Sequence, residues 1–139
     1  MNQADVGGMT NSRMTNDECR NEEGRVYDLE ERTAVFGEAV IDFALSIKRN
    51  AIISPLLTQL IRSATSVGAN YCEADDAESK KDFRHKIALC RKEARETKYW
   101  FRMVVRAAPH AKETARLLWK EANELHLIFS KIRRSCDKS

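Results

Sequence analysis

The residues in this chain best placed to do chemistry are cations. Arg84, Arg91, Arg95, Lys98, Arg102 and Arg106 follow one another at intervals of seven, four, three, four and four, so on a helix their heads form a ridge along one side of the cylinder. Arginine stays protonated at neutral pH, so such a ridge is poorly suited to acid–base or nucleophilic steps. Its chemistry is the attraction of anions, and a row of charges matches a polyanion such as RNA or DNA. Tyr99 lies near the ridge, and no aromatic ladder accompanies the cations. Binding is therefore expected to follow phosphates, with little base stacking and no strong sequence preference.

The remaining reactive side chains do not assemble into a catalytic pattern. Glu93 and Glu96 stand three apart, but Lys92, Arg95 and Lys98 surround them, which points to ion pairing in a polar contact and away from a carboxylate pair poised for catalysis. His85, His110 and His126 are far apart, and each reads as a surface residue of its own helix. The four cysteines, Cys19, Cys72, Cys90 and Cys136, include no CxxC pair and have no histidine at ligand spacing. Asp75, Asp76 and Glu78 lack the glycine-bearing loop of a chelating site and read as compensation for a helix dipole. No glycine-rich loop precedes a helix as a phosphate cradle requires. The expectation is a non-enzymatic protein with no catalytic residue, cofactor or metal.

The elements that must position the cations are helices. Between Ser79 and Ala108 three stripes share one cylinder. Phe83, Ile87, Cys90, Ala94, Thr97, Phe101 and Val104 recur at spacings of four and three and form a core seam. The cations lie beside it, and a third stripe of Lys86, Leu89, Glu93, Glu96, Trp100 and Met103 mixes carboxylates with large apolar groups, a composition suited to a partner. At about 1.5 Å per residue this helix is roughly 45 Å long, and the other helices must match it.

The same rhythm runs through Leu29, Thr33, Phe36, Val40, Phe43 and Ile47, predicting a helix over about 27–49 with Lys48 and Arg49 at its negative end. Ser54 as N-cap and Pro55 at the first helical position predict a second helix over about 54–73, with a seam of Leu57, Leu60, Ala64, Val67 and Tyr71. Around Ser63, Ser66, Gly68 and Asn70 that helix has almost no bulk, so another backbone can approach closely. Ser79 caps the third helix, 79–107, with Asp82 reaching back as in a capping box. Pro109 ends it, and Ala111, Ala115, Leu118, Ala122, Leu125, Phe129, Ile132 and Cys136 predict a fourth helix over 110–136. Short links make neighbours antiparallel, so 27–139 reads as an all-α, up-down four-helix bundle.

Residues 1–26 hold hardly an apolar side chain and read as a disordered acidic and polar tail in which Met9 and Met14 are alternative starts. The net charge of +3 conceals a division: 1–32 carries −4, 33–78 carries −3 and 79–139 carries +10. The second half alone should favour polyanions. No 18-residue apolar run and no signal-peptide order are present, which predicts a cytoplasmic protein without a membrane partner. Ile41 and Leu45 lie off the first seam, and Leu117, Trp119, Leu127 and Ile128 off the last. With the small-residue patch they predict a homo-oligomer, whose subunit interface is expected to use Ser63, Ser66, Gly68, Asn70, Glu93, Glu96, Trp100 and Met103.

The run from Gln59 through Arg62, Ser63, Gly68 and Asn70 to Tyr71, then Glu73-Ala74, Ser79, Asp82-Phe83, His85-Lys86 and Lys92 through Trp100, resembles the bacterial four-helix-bundle family, also called the ribosomal-RNA intervening-sequence protein family. The likeness spans about Arg32 to Arg134 and leaves out the tail. It implies an antiparallel bundle assembled as a homopentameric ring, with no enzymatic activity. A related branch, the accessory variability determinant of diversity-generating retroelements, implies a basic surface for nucleic acid and a protein partner such as a reverse transcriptase. Cys72 stands where relatives carry a charged or polar residue.

Overall fold

Helices whose apolar residues repeat every three and four positions can bury them together only by lying side by side, and the computed structural model has that arrangement over the residues it describes, 28–137. The tail predicted over 1–26, with Met9, Met14 and Cys19, lies outside the described residues. The elements are α1 (Leu29–Leu45), α2 (Ile53–Asp75), α3 (Lys80–Ala107), a single 3-10 turn Pro109–Ala111, and α4 (Lys112–Asp137). The described residues contain no strand. Consecutive helices pack against each other most heavily, and α1 touches α4 far less than it touches α2.

The predicted seams are the core. Phe36, Val40 and Phe43 of α1 meet Leu57, Leu60 and Val67 of α2, Ile87, Cys90 and Phe101 of α3 and Ala122, Leu125 and Phe129 of α4, all buried. Two aromatic pairs tie the diagonals: Phe43 meets Phe101 edge-on with ring centroids 5.7 Å apart, and Tyr71 meets Phe129 at 6.0 Å. Such pairs contribute about 0.5–1.5 kcal/mol beyond the area they bury. Cys90 packs here as a small hydrophobe, and burial pushes its thiol well above the usual range, which leaves it unreactive.

Helix ends depart from the sequence expectation where side chains compete for the backbone. α1 begins at Leu29, where Asp28 accepts the Glu31 N–H at 3.1 Å, and the predicted first residue, Tyr27, lies outside the described residues. It stops at Leu45, not near Arg49, because Ser46 turns its hydroxyl onto the Phe43 carbonyl at 2.6 Å and Asn50 must leave the helix to start the next one. Lys48 and Arg49 thus lie beyond its last turn. The cap of α2 is Asn50, whose Oδ1 accepts the Ile52 and Ile53 N–H groups at 2.9 and 2.8 Å. Ser54, predicted as the cap, instead sits inside the first turn and donates its N–H to the Asn50 carbonyl at 3.0 Å. Ser79 does cap α3, accepting the Asp82 N–H at 3.0 Å, while a return bond from Asp82 is not among those formed.

The small-residue stretch of α2 is where α1 approaches. A Cβ built on Gly68 would lie 3.1 Å from Thr33 Oγ1 and 3.3 Å from Thr33 Cβ, and one on Gly37 would lie 3.6 Å from Thr65 Cγ2. Thr33 cannot swing aside cheaply, since its hydroxyl donates to the Leu29 carbonyl at 2.6 Å. Close packing within one chain therefore offsets the helix cost of Gly68, about 1 kcal/mol against alanine. Gly68→Leu is expected to lower stability by about 1–3 kcal/mol, the range for overpacking. Chemical denaturation checks this, with light scattering on the same sample expected to show the wild-type assembled mass.

Candidate nucleic-acid interface

Three polar contacts fix how α3 and α4 lie. Arg84 Nη1 donates to Asp137 Oδ1 at 2.9 Å, Arg91 Nε to Ser130 Oγ at 2.9 Å, and Lys98 Nζ to Asn123 Oδ1 at 2.9 Å. Each step of seven residues up α3 is a step of seven down α4, so the helices keep one antiparallel register along their length. That register sets Arg95 opposite His126 and Arg102 opposite Trp119. The cation ridge predicted from sequence is therefore one wall of the α3–α4 groove, and the structure brings Arg84, Arg91, Arg95, Lys98 and Arg102 together along it. Arg106 continues the row as an exposed residue in the last turn of α3.

The members of the row are not electrically equivalent. Arg84 is spent on Asp137. Among the described residues no carboxylate lies within ion-pair distance of Arg91, Arg95, Lys98, Arg102 or Arg106, so five positive charges line the groove uncompensated. Lys98 is half-buried with its ammonium 5.4 Å from the centre of the Trp119 ring. Burial, and then the neighbouring Arg95, hold its pKa below the usual lysine range. Trp119, 40% exposed, supplies the aromatic face that the sequence around the ridge lacks.

His126 differs from the surface histidine expected. Burial first, and then the fields of Lys98, Arg91 and Arg95, lower its pKa, so the ring favours the neutral form. Both ring nitrogens are shielded from solvent and have no hydrogen-bond partner among the described residues. Unmet buried groups of this kind cost about 1–3 kcal/mol each. Sequence reasoning missed the α4 wall, yet Trp119, Asn123, His126, Ser130, Arg133 and Asp137 recur at four, three, four, three and four, a second polar stripe in step with the cations.

Of the residues predicted for a subunit interface, Glu93, Glu96 and Trp100 occupy the opposite edge of α3, where it meets α2, and Gly68 packs against Thr33 of α1. Arg62 of α2 pairs with the Glu96 carboxylate and lies 3.5 Å from Glu93 Oε1, and Trp100 Nε1 donates to Glu96 Oε2 at 3.0 Å. Lys86 Nζ reaches Glu73 Oε1 of α2 at 2.6 Å. The mixed stripe is thus largely the polar edge of a contact within one chain. Ser63 is fully buried, its hydroxyl 3.0 Å from Thr97 Oγ1, and has no surface to offer a partner. Ser66 donates to the Arg62 carbonyl at 2.7 Å and Asn70 to the Ser66 carbonyl at 2.9 Å, so both are turned back on their own helix. Met103 is half-buried.

Comparison with known proteins agrees with this architecture. The sequence profile described as 23S rRNA-intervening sequence protein matches residues 32–131. A crystal structure of a protein of unknown function from the S23 ribosomal protein family of Bacteroides thetaiotaomicron is similar at 26% identity with a TM-score of 0.67, over 76% of this chain and 97% of that one. No protein of curated function matches the sequence.

The α2–α3 edge carries a pH signature. The Trp100 hydrogen bond, and then Arg62, hold the Glu96 carboxyl below the usual glutamate range. A depressed acid contributes stability that is complete above its unfolded value, about 4.3, and is lost as pH falls through the lower folded value. Glu96→Gln is expected to flatten this acid limb, measured as denaturation midpoint against pH with Trp fluorescence as the probe.

Proposed function

The chain belongs to the 23S rRNA-intervening sequence protein family, and from that premise we propose that it is a non-enzymatic bundle protein that binds RNA or DNA along the α3–α4 groove. The observation that carries this reading is the run of cations that have no carboxylate partner among the described residues, Arg91, Arg95, Lys98, Arg102 and Arg106. At about 1.5 Å per residue they extend over roughly 22 Å, enough to follow several phosphates of one strand. Three other cations are paired within the fold: Arg32 with Glu121, Arg62 with Glu93 and Glu96, and Lys86 with Glu73. Unpaired cations aligned along one groove have the electrostatic form of a polyanion site.

Assembly belongs to the same proposal. The chain forms a homo-oligomer, a pentamer by family likeness, which would repeat the groove and multiply weak contacts into useful affinity. Support comes from apolar side chains left on the surface of the single chain: Leu45 at 78%, Leu117 at 66% and Leu127 at 52% exposed. The same α4 residues favour a second reading, a scaffold that docks a protein partner such as a reverse transcriptase. The bundle has no helix among its described residues long and apolar enough to cross a membrane.

Replacing Arg95 and Arg102 together by Glu should abolish binding to RNA and DNA while leaving the helical circular dichroism and the assembled mass unchanged. Arg84→Gln should matter little, because Asp137 already neutralises that charge. Wild-type affinity should fall steeply with salt, with a log–log slope of about −0.9 for each phosphate neutralised on a duplex. Light scattering should give several times 15.9 kDa. A double variant that binds as the parent does at low salt would leave the scaffold as the better reading.

A further inference from the structure

The α3–α4 groove contains one group that neither its charge nor its packing accounts for. His126 sits on α4 in the middle of the cation row, with both ring nitrogens buried and without partners among the described residues. From α3 it is faced by Arg91, Arg95 and Lys98. Along α4 its groove-side neighbours are the neutral Asn123 and Ser130, and the next titratable groups of that stripe, Arg133 and Asp137, lie two and three turns toward the C-terminus, where Asp137 is held by Arg84. Glu124 is two positions away and so about 200° around the helix, while Glu121 is turned to Arg32 of α1. The carboxylates of α2 nearest the bundle, such as Glu73, serve Lys86 on the far edge of α3. The field at His126 is therefore one of cations alone.

We propose that His126 is a proton-taking member of the groove: when phosphodiesters occupy Arg91, Arg95 and Lys98, the imidazole binds a proton from solvent and becomes a further cation facing the polyanion. This rests on the groove reading above and deepens it by naming a regulator of that site. The physical cause is reciprocal. In the free protein burial and then three nearby positive charges oppose protonation of the ring, and a bound phosphate cancels the part due to the charges. The protonated ring has two N–H donors, and phosphate oxygens supply an acceptor that the buried nitrogens lack in the free protein. The balance is simple: one proton leaves the buffer and no covalent bond to the nucleic acid forms. Because the bound protein holds the proton more tightly than the free protein, affinity must rise as pH falls through the window between the two titrations. Phosphodiesters do not titrate in that window, so the ligand contributes no such dependence.

The test uses the full chain and a short RNA duplex of mixed sequence at low salt. Calorimetry in two buffers of different ionisation enthalpy should show net proton uptake near pH 6.5, and affinity should rise from about pH 8 to about pH 6, by about tenfold for each pH unit that binding moves the His126 titration. The ring proton signals of His126 in the intact wild-type protein should titrate at higher pH with RNA bound than without it. His126→Gln should remove the proton uptake, whereas His85→Gln and His110→Gln, at exposed positions, should retain it. Binding that is lost in the Arg95→Glu, Arg102→Glu variant yet shows no proton uptake and no movement of the His126 titration overturns this inference and leaves the groove reading standing. Absence of wild-type binding at every pH overturns both.

Discussion

A contact repeated every seven residues holds α3 against α4, and the surface chemistry of the molecule follows from it. Arg84, Arg91 and Lys98 meet Asp137, Ser130 and Asn123 in turn. The repeat belongs to the apolar seams, which force the helices into a shallow antiparallel crossing; the polar contacts are its outer margin. Sliding the register by one turn would separate all three pairs and would set buried Phe101 and Phe129 against the wrong neighbours. The hydrophobic core thus aligns the charges, at a position that the charges themselves, repelling one another, would not choose.

One helix presents opposite electrical faces to its two neighbours. Toward α2, α3 turns Glu93 and Glu96, and Arg62 answers them. Toward α4 it turns arginines and a lysine, and apart from Asp137 the answering groups are a hydroxyl, an amide, an indole and an imidazole. This segregation keeps the carboxylates of α3 from neutralising its own cations, although Glu96 and Arg95 are adjacent in sequence. An angular separation of about 100° per residue is what makes that possible. Part of the +10 charge of the second half is thereby aligned along one groove.

The sequence made the seams readable because apolar periodicity reports burial directly, and the seam residues of α1 to α4 are the core with few exceptions at the ends, such as Phe83 and Cys136, which are only partly buried. Local competition was less legible: Asn50 and Ser54 are both good caps four residues apart, and only the placement of the turn decides between them. The direction of a stripe was harder still. A helix with small residues invites a close neighbour, but the pattern on α2 does not say whether that neighbour is another subunit or Thr33 of the same chain. The mixed stripe had the same ambiguity, and within the chain Arg62, the lone cation amid the small residues of α2, pairs with its carboxylates. The α4 wall was legible in its spacing and escaped notice because its members are chemically unlike one another.

An uncompensated groove carries a cost in the free protein, and its size bears on what the groove can be for. Like charges one helical turn apart each destabilise a helix by a few tenths of a kcal/mol when exposed, and more where solvent is partly excluded. Lys98 and His126 record burial first and that repulsion second, each holding its proton less tightly than usual. A fold under selection for stability alone would place a glutamate on α4 opposite Arg95, as it places one opposite Arg32 and two beside Arg62. Among the described residues the fold contains such solutions elsewhere and not here, so the repulsion is retained, and an anion that relieved it would bind with that energy added to its own contacts.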